Sequence, residues 1–191
     1  ILMTVTQLAA EICSRAGEGY QNYTARALAH FKSAVLALLS TSMSPDADAP
    51  GLCAIYENEN YDVSGGILLS AIYERLNLTD ARILSIEVNG EPLERLSAQQ
   101  YAASKLRPDI LINGSTYYLY SSEEGTGGKI VILDFDSVGG IPLVIRAIGW
   151  RAELSSTTSN ISIESYFSTN MLEKAIMLAT EELKHLYPTI H

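Results

Sequence analysis

Between Ile141 and Leu186 the chain passes from an apolar strand to an amphipathic helix, and this pair limits the possible folds more than any other stretch. The strand reads Ile141-Pro142-Leu143-Val144-Ile145-Arg146-Ala147-Ile148-Gly149-Trp150. A Ser/Thr-rich connection follows, and Asn170 with Glu173 three residues later has the spacing of a helix capping box. Leu172, Ile176, Ala179, Leu183 and Leu186 then recur every three or four residues, with Met171, Ala175 and Leu178 widening the stripe. Lys174, Glu181, Glu182 and Lys184 take the opposite face. A closing helix with so broad an apolar face has to dock, so the spacing predicts a helix over 168–187 whose core residues are Leu172, Ile176, Ala179 and Leu183.

The opening of the chain is also helical. Thr4 and Gln7 make a second capping box, and Val5, Leu8, Ala9, Ile12 and Cys13 follow at helical spacing until Gly17 and Gly19. A second helix starts near Asn22 to Thr24, with Leu28, Phe31, Val35, Leu38 and Leu39 facing inward as far as Ser40. Joined by a short Gly loop, the two predict an antiparallel helix pair over 1–41. Pro45, Pro50 and the acidic Asp46-Ala47-Asp48 mark a loop, too short for the twelve or so residues of a calcium hand.

Residues 52–150 predict mainly antiparallel strands with one short helix. Leu52 to Glu57 fits a strand, while Val63 to Leu76 permits strand or helix, with a lean to helix from Ile67. From Arg82 the period is two, and Asn89-Gly90 supplies the positive φ angles of a type I′ hairpin. Pro92 puts the return strand at a sheet edge, because proline cannot donate to a ladder. Ser97 and Gln100 cap a short helix ending before Pro108. Tyr117 to Ser121 and Lys129 to Phe135 predict another hairpin through a Gly-rich tip. The sum is a single α+β domain spanning 1–191, in which the N-terminal antiparallel helix pair and the long C-terminal helix pack with a small antiparallel β-sheet. At this length it buries roughly 70% of its unfolded surface.

Composition excludes several function classes. The net charge of −9 argues against binding nucleic acid through its phosphates or adsorbing to an anionic membrane. No run approaches the length of a membrane span, and the chain reads as cytosolic. Cys13 and Cys53 are its only thiols, so neither a disulfide framework nor a zinc site is expected. Asn-x-Ser/Thr triplets at Asn22, Asn77, Asn113 and Asn160 read as chance in so Ser/Thr-rich a chain. Eleven tyrosines suit either a protein-contact surface or half-exposed strands.

Candidate chemistry is sparse. Gly125 to Lys129 suggests a phosphate loop, but Ile130-Val131-Ile132 after Lys129 is a strand, where the motif needs a hydroxyl and a helix N-terminus. Asp134-Phe135-Asp136 sets two carboxylates on one strand face, as a small metal-dependent enzyme would need. No histidine or second acidic cluster lies near in sequence, so an acidic turn is the preferred reading. His30, His185 and His191 lack partners at metal-ligand spacing. No catalytic, cofactor-binding or metal residue is assigned.

In its order of parts the chain resembles the head–tail connector, or neck adaptor, proteins of tailed bacteriophages. The resemblance rests on the helical pair from Met3-Thr4-Val5-Thr6-Gln7-Leu8-Ala9 to Leu39, the strand Pro142 to Trp150, and Tyr166-Phe167 leading into Asn170 to Ala179. The hairpin at Asn89-Gly90 followed by Ser97 to Tyr101 also fits. It implies a non-enzymatic virion protein, assembled in the host cytoplasm, that forms a homo-oligomeric ring, typically a dodecamer. The ring would join the portal protein to a downstream tail or second neck protein and line the genome conduit, with DNA passing without specific binding and no membrane or cofactor involved. Candidate portal or neighbour contacts are the tip Glu124, Gly125, Thr126, Gly127, Gly128 and Lys129, and the tail His185, Leu186, Tyr187, Pro188, Thr189, Ile190 and His191. Alternatives are a tail-terminator or other tail-end protein of the same particle, a small metal-dependent enzyme using Asp134 and Asp136, and a regulatory domain whose strands enclose a ligand pocket.

Overall fold

A computed structural model describes residues 3–61, 66–106, 116–120, 128–133 and 140–186. Helices and strands mix as an α+β protein with antiparallel pairing and a closing helix. Contacts divide the chain into two compact units where the sequence is read as one domain. The first joins the two chain ends, Ile1–Cys53 with Ile148–His191, and the second is the intervening Ala54–Ala147.

The first unit is a bundle of three helices, α1 (Val5–Ala16), α2 (Thr24–Thr41) and α6 (Thr169–Leu186), each packed on the other two. A four-residue helix α3 (Pro45–Asp48) follows α2. The capping box at α1 forms as the spacing predicts, with Thr4 Oγ1 accepting from the Gln7 amide and Gln7 Oε1 from the Thr4 amide. Two further amides of the first turn, which no helix can satisfy internally, donate to the Ser/Thr-rich connection: Val5 to the Ile161 carbonyl and Thr6 to that of Ser159. Val5, Leu8, Ala9, Ile12 and Cys13 face inward, as do Leu28, Phe31, Val35 and Leu39 of α2. Phe31 is the hub, lying edge-on to Trp150 at 6.2 Å and to Phe167 at 5.7 Å. The buried indole is satisfied, since Trp150 Nε1 donates to Ser155 Oγ at 2.8 Å.

Two expectations about α6 are corrected. Its cap is Ser168, whose Oγ accepts from the Met171 amide at 3.2 Å, so Asn170 sits inside the helix. Glu173, freed from any capping role, reaches Arg15 of α1 at 3.3 Å. The stripe is also narrower on one side. Leu172, Ile176, Ala179 and Leu183 are buried with Met171 and Ala175, but Leu178 and Leu186 are exposed. Thr180 is buried in their place, its hydroxyl satisfied by the Ile176 carbonyl at 2.8 Å.

The second unit holds most of the strands. In chain order these are β1 (Cys53–Tyr61), β2 (Ile67–Leu68), β3 (Leu78–Val88), β4 (Glu91–Pro92), β5 (Glu94–Arg95), β6 (Thr116–Tyr120), β7 (Lys129–Leu133) and β8 (Ile141–Arg151), with helices α4 (Leu69–Arg75) and α5 (Ala98–Leu106) between them. They form two four-stranded sheets, ordered β1-β8-β3-β4 and β2-β7-β6-β5, where a single small sheet was expected. Pairing is not wholly antiparallel either. β5 and β6 run parallel because α5 lies between them, and a parallel neighbour needs such a crossover.

Several local readings stand. Asn89 and Gly90 have φ of 52° and 79° and turn β3 into β4, pairing Val88 with Glu91. Pro92 lies on an edge strand. Ser97 and Gln100 form a reciprocal capping box ahead of α5. β6 and β7 pair antiparallel from Thr116–Leu133 to Tyr120–Lys129. Of the undecided segment, Val63 to Gly65 lie outside the described residues, and the rest forms the short strand β2 and then the helix α4, which starts at Leu69 and not at the expected Ile67. Ile67, Ile72, Ile86, Val88, Ile130, Leu143 and Ile145 make the aliphatic core here, with Tyr56, Tyr61 and Tyr73 packed at its border.

Candidate interaction surfaces

α6 is held along both flanks and left open along its middle. On one flank Glu173 meets Arg15, which also holds Glu11 at 2.7 Å. On the other, His30 Nδ1 of α2 hydrogen-bonds Glu182 Oε2 at 3.0 Å. The Arg15 contacts are largely solvated and contribute little stability each, whereas the His30 side chain is mostly buried; together they fix the rotation of the helix. Lys174, Met177, Leu178, Glu181 and His185 then face solvent at three- and four-residue spacing. Met177 is 57% and Leu178 38% exposed, an adjacent apolar pair with no partner in the bundle. The sequence reading puts Leu178 at the margin of the apolar stripe, outside its four core residues, and gives Met177 no role. A stricter helical projection separates them, since both fall outside the arc shared by Leu172, Ile176, Ala179 and Leu183.

The predicted contact residues divide between described and undescribed segments. His185 and Leu186 lie exposed in the last turn of α6. Tyr187, Pro188, Thr189, Ile190 and His191 are outside the described residues. So are Glu124, Gly125, Thr126 and Gly127. Gly128 and Lys129 are bound into the sheet: the Gly128 carbonyl accepts from the Leu69 amide at 2.9 Å, and Lys129 opens β7 opposite Tyr120 and Leu68. The Lys129 stem crosses the space above Gly66, where a side chain at Gly66 would stand. A lysine starting a strand cannot act as a phosphate-loop lysine, which precedes a helix.

Other chemistry finds little support. Asp134 and Asp136 are outside the described residues, and among those described no three His, Cys, Asp or Glu side chains gather to hold a metal. Burial raises the pKa of the Cys13 thiol, against a smaller lowering by a backbone hydrogen bond from Tyr23. Cys53 is raised by burial and then by the Asp46 carboxylate. Both are therefore thiols and not the thiolates that nucleophilic chemistry needs. Two open grooves along α1 measure about 450 Å3 beside Met3, Gln7 and Glu11, and about 200 Å3 beside Ser14, Glu18 and Gln21. Neither gathers convergent polar groups around an enclosed volume. No described helix is long and apolar enough to cross a membrane. A scan against protein-family models matches none of them, and a search of curated proteins finds no relative.

Proposed function

We propose that this protein is a non-enzymatic structural subunit of a bacteriophage neck, forming a homo-oligomeric ring that joins the portal to the tail and surrounds the path of the genome. The observation that carries the reading is the solvent face of α6, where Met177 and Leu178 are exposed on a helix whose two flanks are otherwise pinned to α1 and α2. An apolar pair on a rigid helix is suited to packing against a neighbouring subunit. The order of parts also agrees with it: a helical pair, a strand-built middle and a closing helix. The charge of −9 suits a conduit that must release DNA. A ring subunit makes heterologous contacts that close by rotation, so one face of each copy meets a different face of the next.

Negative-stain electron microscopy of the full chain, alone, mixed with a portal protein and mixed with phage tail tubes, tests the proposal. Rings, or a collar added to the portal, are expected. Monomeric particles under all three conditions would overturn it. Rings that ignore the portal but cap tail tubes would reassign the protein to the tail end of the same particle.

A further inference from the structure

The sheet edges of this protein are unequal. The strands at the ends of the two sheets are β1, β4, β2 and β5. Of these, β2, β4 and β5 are two residues long, and β4 carries Pro92. Very short edge strands and edge prolines are the usual devices that stop a sheet from pairing with foreign chains. β1 has neither device. It runs nine residues without proline, and among the described residues no strand lies on its outer side.

We propose that the outer edge of β1, from Ala54 to Glu59, receives an extended segment of another polypeptide as an added strand, and that this segment carries Lys or Arg at alternate positions. The length is sufficient, because six strand residues span roughly 20 Å. The available run ends at Asn60, whose amide is already taken by Asn58 Oδ1 at 3.1 Å. The charge on the edge selects the occupant. Ile55, Glu57 and Glu59 alternate on the exposed face, and neither glutamate has an ion-pair partner among the described residues. On the other face Arg75 is engaged, lying 5.4 Å over the Tyr56 ring.

The same charges argue against a second copy as the occupant. In antiparallel self-pairing that overlaps this face, the Glu57 and Glu59 rows of the two chains come opposite or diagonal to each other, and like charges across a strand pair repel. A strand with basic residues at every second position attracts them instead, while its backbone fills the vacant ladder. The inference stands apart from the ring assignment, since it concerns an edge in the strand-rich unit and not α6.

Peptide binding followed by amide chemical shifts tests it on the full-length protein. The probes are a short peptide alternating Lys with Val, the same peptide with Glu in place of Lys, and a Lys peptide of equal charge with Pro in place of Val. The Lys–Val peptide is expected to bind, with shift changes concentrated in Ala54 to Glu59. Glu57→Lys with Glu59→Lys is expected to weaken it by roughly tenfold and to admit the Glu–Val peptide. Both positions are exposed, and an unchanged melting curve checks that the variant is folded. Failure of the Lys–Val peptide to bind, equal binding of the Pro peptide, or shift changes away from β1 would each overturn the proposal. A dimer of the free protein that dissociates on Ile55→Arg would overturn it too, by showing the edge already filled by a second copy.

Discussion

The bundle made from the two chain ends and the strand-built unit between them reach buried cores by different routes. In the bundle, helices with locally encoded caps bring inward faces together around three aromatic rings, Phe31, Trp150 and Phe167. Among the described residues of the strand unit no aromatic ring sits at the centre of the core. Isoleucines, leucines and Val88, chiefly from β2, β3, β7, β8 and α4, fill it, and Tyr56, Tyr61 and Tyr73 stand at its border. β-Branched side chains pack well on a pleated surface, whereas a helical bundle can seat a large ring between its axes. Where the core is made of few large pieces, one deletion should matter more than where it is made of many small ones.

The largest expected effects test that contrast. Phe31→Ala removes a ring that is wholly buried and touches both other aromatics, and should cost about 3–5 kcal/mol. Trp150, the only tryptophan of the chain, reports it directly through the urea midpoint of its emission. Ile130→Ala, equally buried in the strand unit, should cost about 2–4 kcal/mol. Its signature is faster amide exchange in β6 and β7, exceeding any shift in Trp150 emission. If both variants move the emission midpoint alike, the contrast between the cores has no energetic meaning.

Two glycines sharpen the comparison at the next level. A Cβ at Gly51, in the bundle unit, would stand 2.6 Å from Tyr166 Cα and 2.8 Å from its ring. Because the obstacle is backbone, Gly51→Ala should cost about 1–3 kcal/mol. At Gly90, in the strand unit, a Cβ meets nothing within 4 Å, and only its φ of 79° opposes a side chain. Gly90→Ala should therefore cost about 1 kcal/mol. Thermal denaturation of the two variants side by side ranks crowding against backbone conformation; equal losses would contradict the ranking.

Sequence legibility follows the same division. Thr4, Gln7, Ser97, Gln100, Asn89 and Gly90 were readable because capping boxes and tight turns are local, each settled within four residues. The closing helix was readable as a helix but not in its start. Asn170 and Ser168 are both capping residues two positions apart, and only the Met171 amide on Ser168 decides between them. Ser168→Ala should cost about 1 kcal/mol and Asn170→Ala much less, a difference that chemical denaturation resolves. What depends on distant partners was not readable. The parallel pairing of β5 with β6 and the division into two sheets come from contacts between remote stretches. So does the Ser/Thr-rich connection, which looked like a linker and in fact satisfies the first-turn amides of α1. For the contact surfaces, composition identified neither the open middle of α6 nor the long edge of β1, because exposure depends on what the fold leaves uncovered.

The smallest expected effects compare one tyrosine from each unit. Burial raises the pKa of Tyr73 in the strand unit. Tyr166 in the bundle is raised first by burial and then by the Glu153 carboxylate, to which its hydroxyl donates at 3.4 Å. In both, the folded protein keeps the phenol protonated at a pH where the unfolded chain has begun to lose the proton, near 10. The unfolded state then binds fewer protons, so stability is fully present below that pH and falls as pH rises through the raised folded value. Cys13 and Cys53, held protonated by burial, add a slope beginning at lower pH that the tyrosine variants share. Tyr73→Phe and Tyr166→Phe should each flatten the loss measured by urea denaturation across the alkaline range. Salt separates the two, because a carboxylate interaction near the surface is screened whereas burial is not. Added salt should reduce the Tyr166 contribution and leave that of Tyr73 in place, and an equal response of both would mean that burial alone controls the pair.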